Sequence, residues 1–224
     1  MFPFTSSAPA SARARAPVRS LALAALGLVG LGGVLAGYRA LLNHEFAAAP
    51  PGAPPVRWPA ESLVPRAPGR PLLLVVAHPM CPCTRATVDQ LAVLMARVRF
   101  QAAAVVVFVR HASFSEGVED TELWQNAARI PGVRVVSDPN GVEAKRFGAY
   151  GSGQTMLYSA AGDLQFTGGI TASRGHSGDN RGQDALVALL SLSATAATAA
   201  TAGVATKTAT PVYGCDLNHP ERAP

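Results

Sequence analysis

Leu72-Leu-Leu-Val-Val-Ala-His-Pro-Met-Cys-Pro-Cys-Thr-Arg85 is the stretch on which the reading of this chain turns. Leu72 to Ala77 is an unbroken apolar run, short enough for a strand and apolar enough to be covered on both faces. His78, Pro79 and Met80 interrupt it, and Cys81-Pro82-Cys83 follows. From Thr84 to Val98 the residues Val88, Leu91, Leu94, Met95 and Val98 recur at helical spacing. A helix therefore begins where the cysteines stand. A thiol at a helix N-terminus meets the partial positive charge of the free amides, which favours its thiolate and raises its nucleophilic fraction. The chain has three cysteines, two of them in this turn and the third at Cys215.

Outward from the turn, strand and helix signals alternate. Ala103 to Val109 reads as a second buried strand, and a polar loop with His111 and Glu116 leads to a short helix over Thr121 to Arg129. Val133 to Val136 reads as a third strand closed by Asp138-Pro-Asn-Gly141, and Val142 to Phe147 as one or two helical turns. Thr155 to Tyr158 and Leu164 to Thr167 predict a hairpin about Ala160-Ala-Gly-Asp163. Asp184 to Leu192 reads as the last helix. This order predicts an α/β domain with a central mixed sheet, mostly parallel, a terminal antiparallel hairpin, and helices on both faces.

The flanks have a different composition. Residues 1–20 form an arginine-bearing tail. Residues 21–42 are apolar over the length a bilayer-spanning helix needs, about 20 residues. Arg13, Arg15 and Arg19 precede that segment and no acidic residue appears before Glu45, which predicts a cytoplasmic N-terminus and an exported body. A cleaved signal peptide is the rival reading, with Ala47-Ala-Ala49 as its cleavage site. Residues 43–70 are rich in proline and alanine and read as a semi-rigid spacer, although Trp58 and Leu63 suit packing on the domain. The domain then spans residues 71–192, or starts near 56. Residues 193–210 are nearly all alanine and threonine and read as a flexible tether. Residues 211–224 carry Cys215. From Val56 onward 15 basic residues face 13 acidic ones, and no basic patch with interleaved aromatics signals nucleic acid.

The arrangement resembles the thioredoxin-like superfamily, specifically its membrane-anchored periplasmic members, over Val56 to Leu192. The strand ending at Ala77, Pro82-Cys83 and Arg85 resemble the family's active-site strand, turn and helix. Ser137 to Gly148, Gln154 to Tyr158, Gly162 and Gly168-Gly169 resemble its later segments. His78-Pro-x-Cys-Pro-Cys83, Gly169 to His176 and Tyr213-Gly-Cys215 are similar to the RedB-like proteins. The resemblance implies a single-pass protein of a bacterial inner membrane with a periplasmic redox domain, acting in thiol–disulfide exchange on a protein partner. Two departures stand out. Met80 occupies the family's first cysteine position, with a cysteine one place on at Cys81. Gln154 stands where the family has a cis-proline before Thr155, and a trans bond is expected there, because a non-proline cis bond costs about 2.5–4 kcal/mol.

The cysteines admit several pairings. A Cys81–Cys83 disulfide closes a small ring that is strained and readily reduced. Cys215 follows the last helix by about 22 residues, a chain whose typical span of about 25 Å reaches the turn. In an exchange cycle Cys81, expected to be the more exposed, is the nucleophile, and Cys83 or Cys215 resolves. A disulfide from Cys215 that merely pins the tail is the plainer alternative. No resident cofactor is required, but Cys81 and Cys83 with His78 and His176 form a donor set for copper or zinc. A redox-inactive binding module is the third reading. The loop Gly168 to Gly182 reads either as a surface loop ending in a helix cap at Asp179 or Asn180, or as a cover over the turn that brings Arg174 and His176 to a thiol.

Overall fold

The computed structural model describes residues 15–67, 69–99, 101–110, 117–196 and 208–217. The chain divides into two units, Met1–His44 and Glu45–Pro224. In the first, helix α1 begins at Arg15 and runs to Glu45. Its stretch Val18–Glu45 is long and apolar enough to cross a membrane, a test that an N-terminal signal sequence also passes.

In the second unit, β1 (Leu72–Ala77), β2 (Ala103–Arg110) and β3 (Val133–Pro139) are parallel. Strand β4 (Gln154–Tyr158) runs antiparallel to β1 and pairs with β5 (Leu164–Gly168) in the expected hairpin. A short sixth strand, β6 (Thr208–Ala209), joins β5 in parallel, so the sheet order is β3-β2-β1-β4-β5-β6. The helices are α2 (Pro82–Val98), α3 (Glu122–Ala128), α4 (Val142–Arg146) and α5 (Arg181–Ala196).

Alternate residues of the strands feed two cores, as the period of two in a strand requires. Leu73, Val75, Ala77, Val106 and Phe108 face one side, where Leu91, Leu94 and Met95 of α2 and Leu186 and Leu190 of α5 cover them. Leu72, Leu74, Val76, Val105 and Val107 face the other side, covered by Ala144 of α4, Phe147, Tyr158 and Leu217. The β1 residues are therefore buried on both faces, which is why the sequence shows an unbroken apolar run there.

The flanks of the domain depart from the reading of their composition. The proline-rich segment read as a spacer lies along the domain. Ala49 N donates to Val212 O, Ala53 N to Gly148 O and Trp58 N to Gly162 O. Trp58 packs edge-on against Phe147 and Tyr158, at ring-centroid distances of 4.8 and 5.2 Å. Leu63, expected to pack as well, is 88% exposed, and its backbone N–H instead donates to Glu143 Oε1. The segment read as a tether is regular at both ends. Helix α5 extends through Ala196, and Thr208-Ala209 pair with Phe166 and Thr167. Residues 197–207, like His111 and Glu116, lie outside the described residues. Helix α5 starts at Arg181, with Asn180 Oδ1 accepting from Gln183 N as the cap.

Replacing Trp58 with alanine removes two aromatic contacts from the second core. We expect a loss of about 2 kcal/mol in denaturant unfolding of the oxidised protein, below the cost of truncating a fully buried aromatic. Leu63→Ala changes stability by less than about 0.5 kcal/mol in the same assay. Equal effects of the two would contradict the docking described here.

Candidate redox site

The C-terminal end of β1 turns at His78 and Pro79 and enters α2 with Cys81 as N-cap and Pro82 in the first turn. Proline suits that place because its missing N–H would have no helical partner there. Cys81 has extended backbone angles and makes no side-chain cap hydrogen bond, so its sulfur is not engaged in capping. Cys81 N donates to His78 O at 3.3 Å and Thr84 N to Cys81 O at 2.9 Å.

Three polar groups brace the turn. His78 N donates to Ser152 Oγ at 2.9 Å, and Thr84 Oγ1 donates to His78 O at 3.0 Å. The two hydroxyls lie 2.7 Å apart. Since the Thr84 proton points to His78 O, Ser152 donates to Thr84, and the ring of bonds closes with each hydroxyl giving one proton. All three residues are buried. Ser152 also reaches the third cysteine, because its backbone N donates to Cys215 O at 2.8 Å.

Cys81 is bonded to Cys215, with 6.3 Å between the Cα atoms, and Cys83 is a free, buried thiol. The Sγ atoms of all three cysteines lie within 4.8 Å of one another. Cys81 is 0% exposed, Cys215 8% and Cys83 9%, so the expectation that Cys81 is more exposed than Cys83 is overturned. The Cys81 sulfur is turned inward to meet the returning C-terminal segment. The Cys81–Cys83 pairing is not the one formed.

That segment is held by more than its disulfide. Thr210 N donates to Thr167 O, Gly169 N to Pro211 O, Ala49 N to Val212 O and Leu217 N to Tyr150 O. The contacts are close enough to demand small residues. A Cβ on Gly214 would collide with the carbonyl oxygen of Ser152, and one on Gly169 would meet Pro211 O at 2.5 Å.

The other sequence-predicted residues scatter around this centre. Pro79 is buried, whereas Met80 is 59% exposed and Pro82 is also exposed, so the rim of the turn is apolar and open. His78 is buried and its Nδ1 accepts from Met80 N at 3.3 Å. Gln154 and Thr155 are both buried at the start of β4, and no cis peptide bond occurs among the described residues. The Gln154 side chain turns toward Gly52 and accepts from Tyr150 N. Arg174 is tied to the N-terminal segment, its N donating to Glu45 O and its Nε to Ala47 O. His176 is exposed, with Nδ1 2.7 Å from Arg174 O. The thiol cluster thus includes neither His78 nor His176 among the described residues. Ser152 is the residue that sequence reasoning missed; its only signal was the pair of flanking glycines, Gly151 and Gly153.

No protein-family model and no curated protein matches this sequence. Among solved structures, an uncharacterized conserved protein from Geobacillus kaustophilus is 14% identical, over 77% of this chain and 92% of its own, with a TM-score of 0.54. A hypothetical protein from Sinorhizobium meliloti is 20% identical over 66% of this chain and 79% of its own, with a TM-score of 0.46. A secreted disulfide oxidoreductase from Mycobacterium tuberculosis is 17% identical over 56% of this chain and 83% of its own, with a TM-score of 0.39. At these identities the likeness is one of fold.

Ser152→Ala leaves the buried His78 N–H without its acceptor and the Thr84 hydroxyl without its second bond. Leaving such a group unsatisfied costs about 1–3 kcal/mol. We expect a stability loss in that range by denaturant unfolding, together with faster hydrogen exchange at His78. An unchanged exchange rate there would show that the ring of bonds does not brace the turn.

Proposed function

We propose that this chain, whose body has the thioredoxin-like fold, is a thiol–disulfide exchange protein in which Cys81 and Cys215 form the reacting pair. The carrying observation is the meeting of all three cysteine sulfurs within 4.8 Å at the N-terminus of α2. A disulfide serving only to pin the tail has no need of a helix N-terminus, whose amide charge favours a departing Cys81 thiolate.

The direction of exchange follows from how Cys215 is held. Five backbone hydrogen bonds, those of Ala49, Ser152, Gly169, Thr210 and Leu217, keep its segment at the turn without help from the disulfide. Such anchoring gives the two thiols of the reduced form a high effective concentration and favours their closure. A dithiol that closes so readily is a good electron donor, so the protein runs as a reductant of substrate disulfides.

Cys215 is the less enclosed member of the pair and takes the outer role. Its thiolate attacks a substrate disulfide, forming a mixed disulfide and expelling the first substrate thiolate. Cys81 then attacks the Cys215 sulfur, closing Cys81–Cys215 and releasing the second substrate thiolate. Two electrons pass to the substrate, and a dithiol donor outside the chain restores the reduced pair. Run backwards, attack at Cys215 expels Cys81 as a thiolate at the helix N-terminus, where the amide charge lowers the cost of the leaving group. The exposed apolar rim at Met80 and Pro82 offers a seat for a substrate peptide. The N-terminal apolar helix keeps the reaction at a membrane surface, with the body on the oxidising side where disulfides persist.

Trapping with a substrate disulfide tests the assignment of roles. In the Cys81→Ser/Cys83→Ser chain a mixed disulfide accumulates on Cys215, seen by mass spectrometry. In Cys215→Ser/Cys83→Ser it does not accumulate. The reverse pattern would exchange the two roles. Failure of the reduced wild-type chain to cleave insulin disulfides, or of the folded protein to open its disulfide in dithiothreitol, would leave only the tail-pinning function.

A further inference from the structure

We infer that the reduced form of the same three cysteines is a binding site for one Cu(I) ion, held by Cys81, Cys83 and Cys215; this rests on the reading that the Cys81–Cys215 bond opens. The donors are already gathered. Three sulfurs about 2.3 Å from an ion lying in their plane stand about 4.0 Å apart, and the three Sγ atoms lie within 4.8 Å of one another. Opening the disulfide lets two of them move apart toward that spacing, with the third already within 4.8 Å of both.

Reduction does not disperse the set. Cys81 and Cys83 are fixed by the start of α2, and Ser152 holds the Cys215 carbonyl directly beside the turn. The hydrogen bonds of Thr210, Gly169, Ala49 and Leu217 hold the rest of the segment. The site is enclosed, with all three cysteines at most 9% exposed, so a bound ion would be shielded from water and competing ligands.

The donor set selects the ion. Thiolates are soft ligands that favour Cu(I) and zinc over the hard divalent cations. Among the described residues no histidine, aspartate or glutamate joins the three sulfurs. Structural zinc is almost always four-coordinate, whereas Cu(I) is satisfied by three thiolates in a plane. Binding displaces the thiol protons and changes no oxidation state. The ligand set differs from one built on Cys81, Cys83, His78 and His176, and the difference can be measured.

The full chain in detergent micelles, reduced with dithiothreitol and then freed of it under anaerobic conditions, is titrated with Cu(I) in competition with bicinchoninate. Thiol counting on the same sample reports whether the disulfide opened, with three thiols expected against one in the oxidised protein. One equivalent of Cu(I) is expected, with three sulfur neighbours by X-ray absorption. Cys83→Ser and Cys215→Ser should each weaken binding by more than the roughly 10–100-fold that outer-shell changes cost in metal sites, and His176→Ala should leave it unchanged. Three free thiols with no copper retained would overturn the copper site while leaving the exchange reading intact. A single thiol after reduction would overturn both. Zinc retained in preference to copper, or affinity lost in His176→Ala but kept in Cys215→Ser, would also overturn the assignment.

Discussion

Ser152 is the joint on which this structure depends. Its hydroxyl closes the ring of hydrogen bonds that fixes the turn at His78 and Thr84, and its backbone N–H holds the Cys215 carbonyl. One small residue at the entrance to β4 therefore sets both halves of the sulfur cluster. The hydroxyl performs the first task and the backbone the second. A residue without a hydroxyl there would strand the buried His78 N–H.

The second constraint is the way the two ends of the chain close over the sheet. The segment after α1 and the segment before Cys215 are joined to each other by Ala49 N to Val212 O, and both rest on the domain. Trp58 supplies to the second core what the short helix α4 cannot, because one and a half turns cover little of a face made by four strands. A domain with one thinly covered face is completed by its own flanks, and that completion delivers Cys215 to the turn.

Much of this was legible in the residues. The β1 run, the helix after the cysteines, the second strand and the hairpin carry strong local signals, and each forms within a few residues of its expected place. The misreadings share one cause: composition reports what a segment can do alone, not what it is paired with. Proline and alanine in residues 43–70 suggest a free spacer, yet extended chain with unused N–H groups is well suited to lie along a domain. Thr208-Ala209 have no strand pattern, but the open edge of β5 supplies one. Cys81 reads as the more exposed of the Cys81–Cys83 pair because Cys83 falls inside the first helical turn. The burial of Cys81 comes from a residue 134 positions away, and no local pattern carries that information.

The three sulfurs cannot do both of their proposed tasks at once. A sulfur committed to a disulfide has lost the negative charge that makes it a metal ligand, so oxidation empties the copper site and a bound ion blocks closure of the disulfide. Cys83 gives this competition its asymmetry. It takes no part in the Cys81–Cys215 bond, yet its sulfur stands within 4.8 Å of both. A two-cysteine exchange cycle would proceed without it, whereas a three-coordinate site would not form. The position of Cys83, buried one residue inside the helix and already at the bond, is thus the feature that separates a simple exchange pair from a site whose chemistry depends on its own redox state.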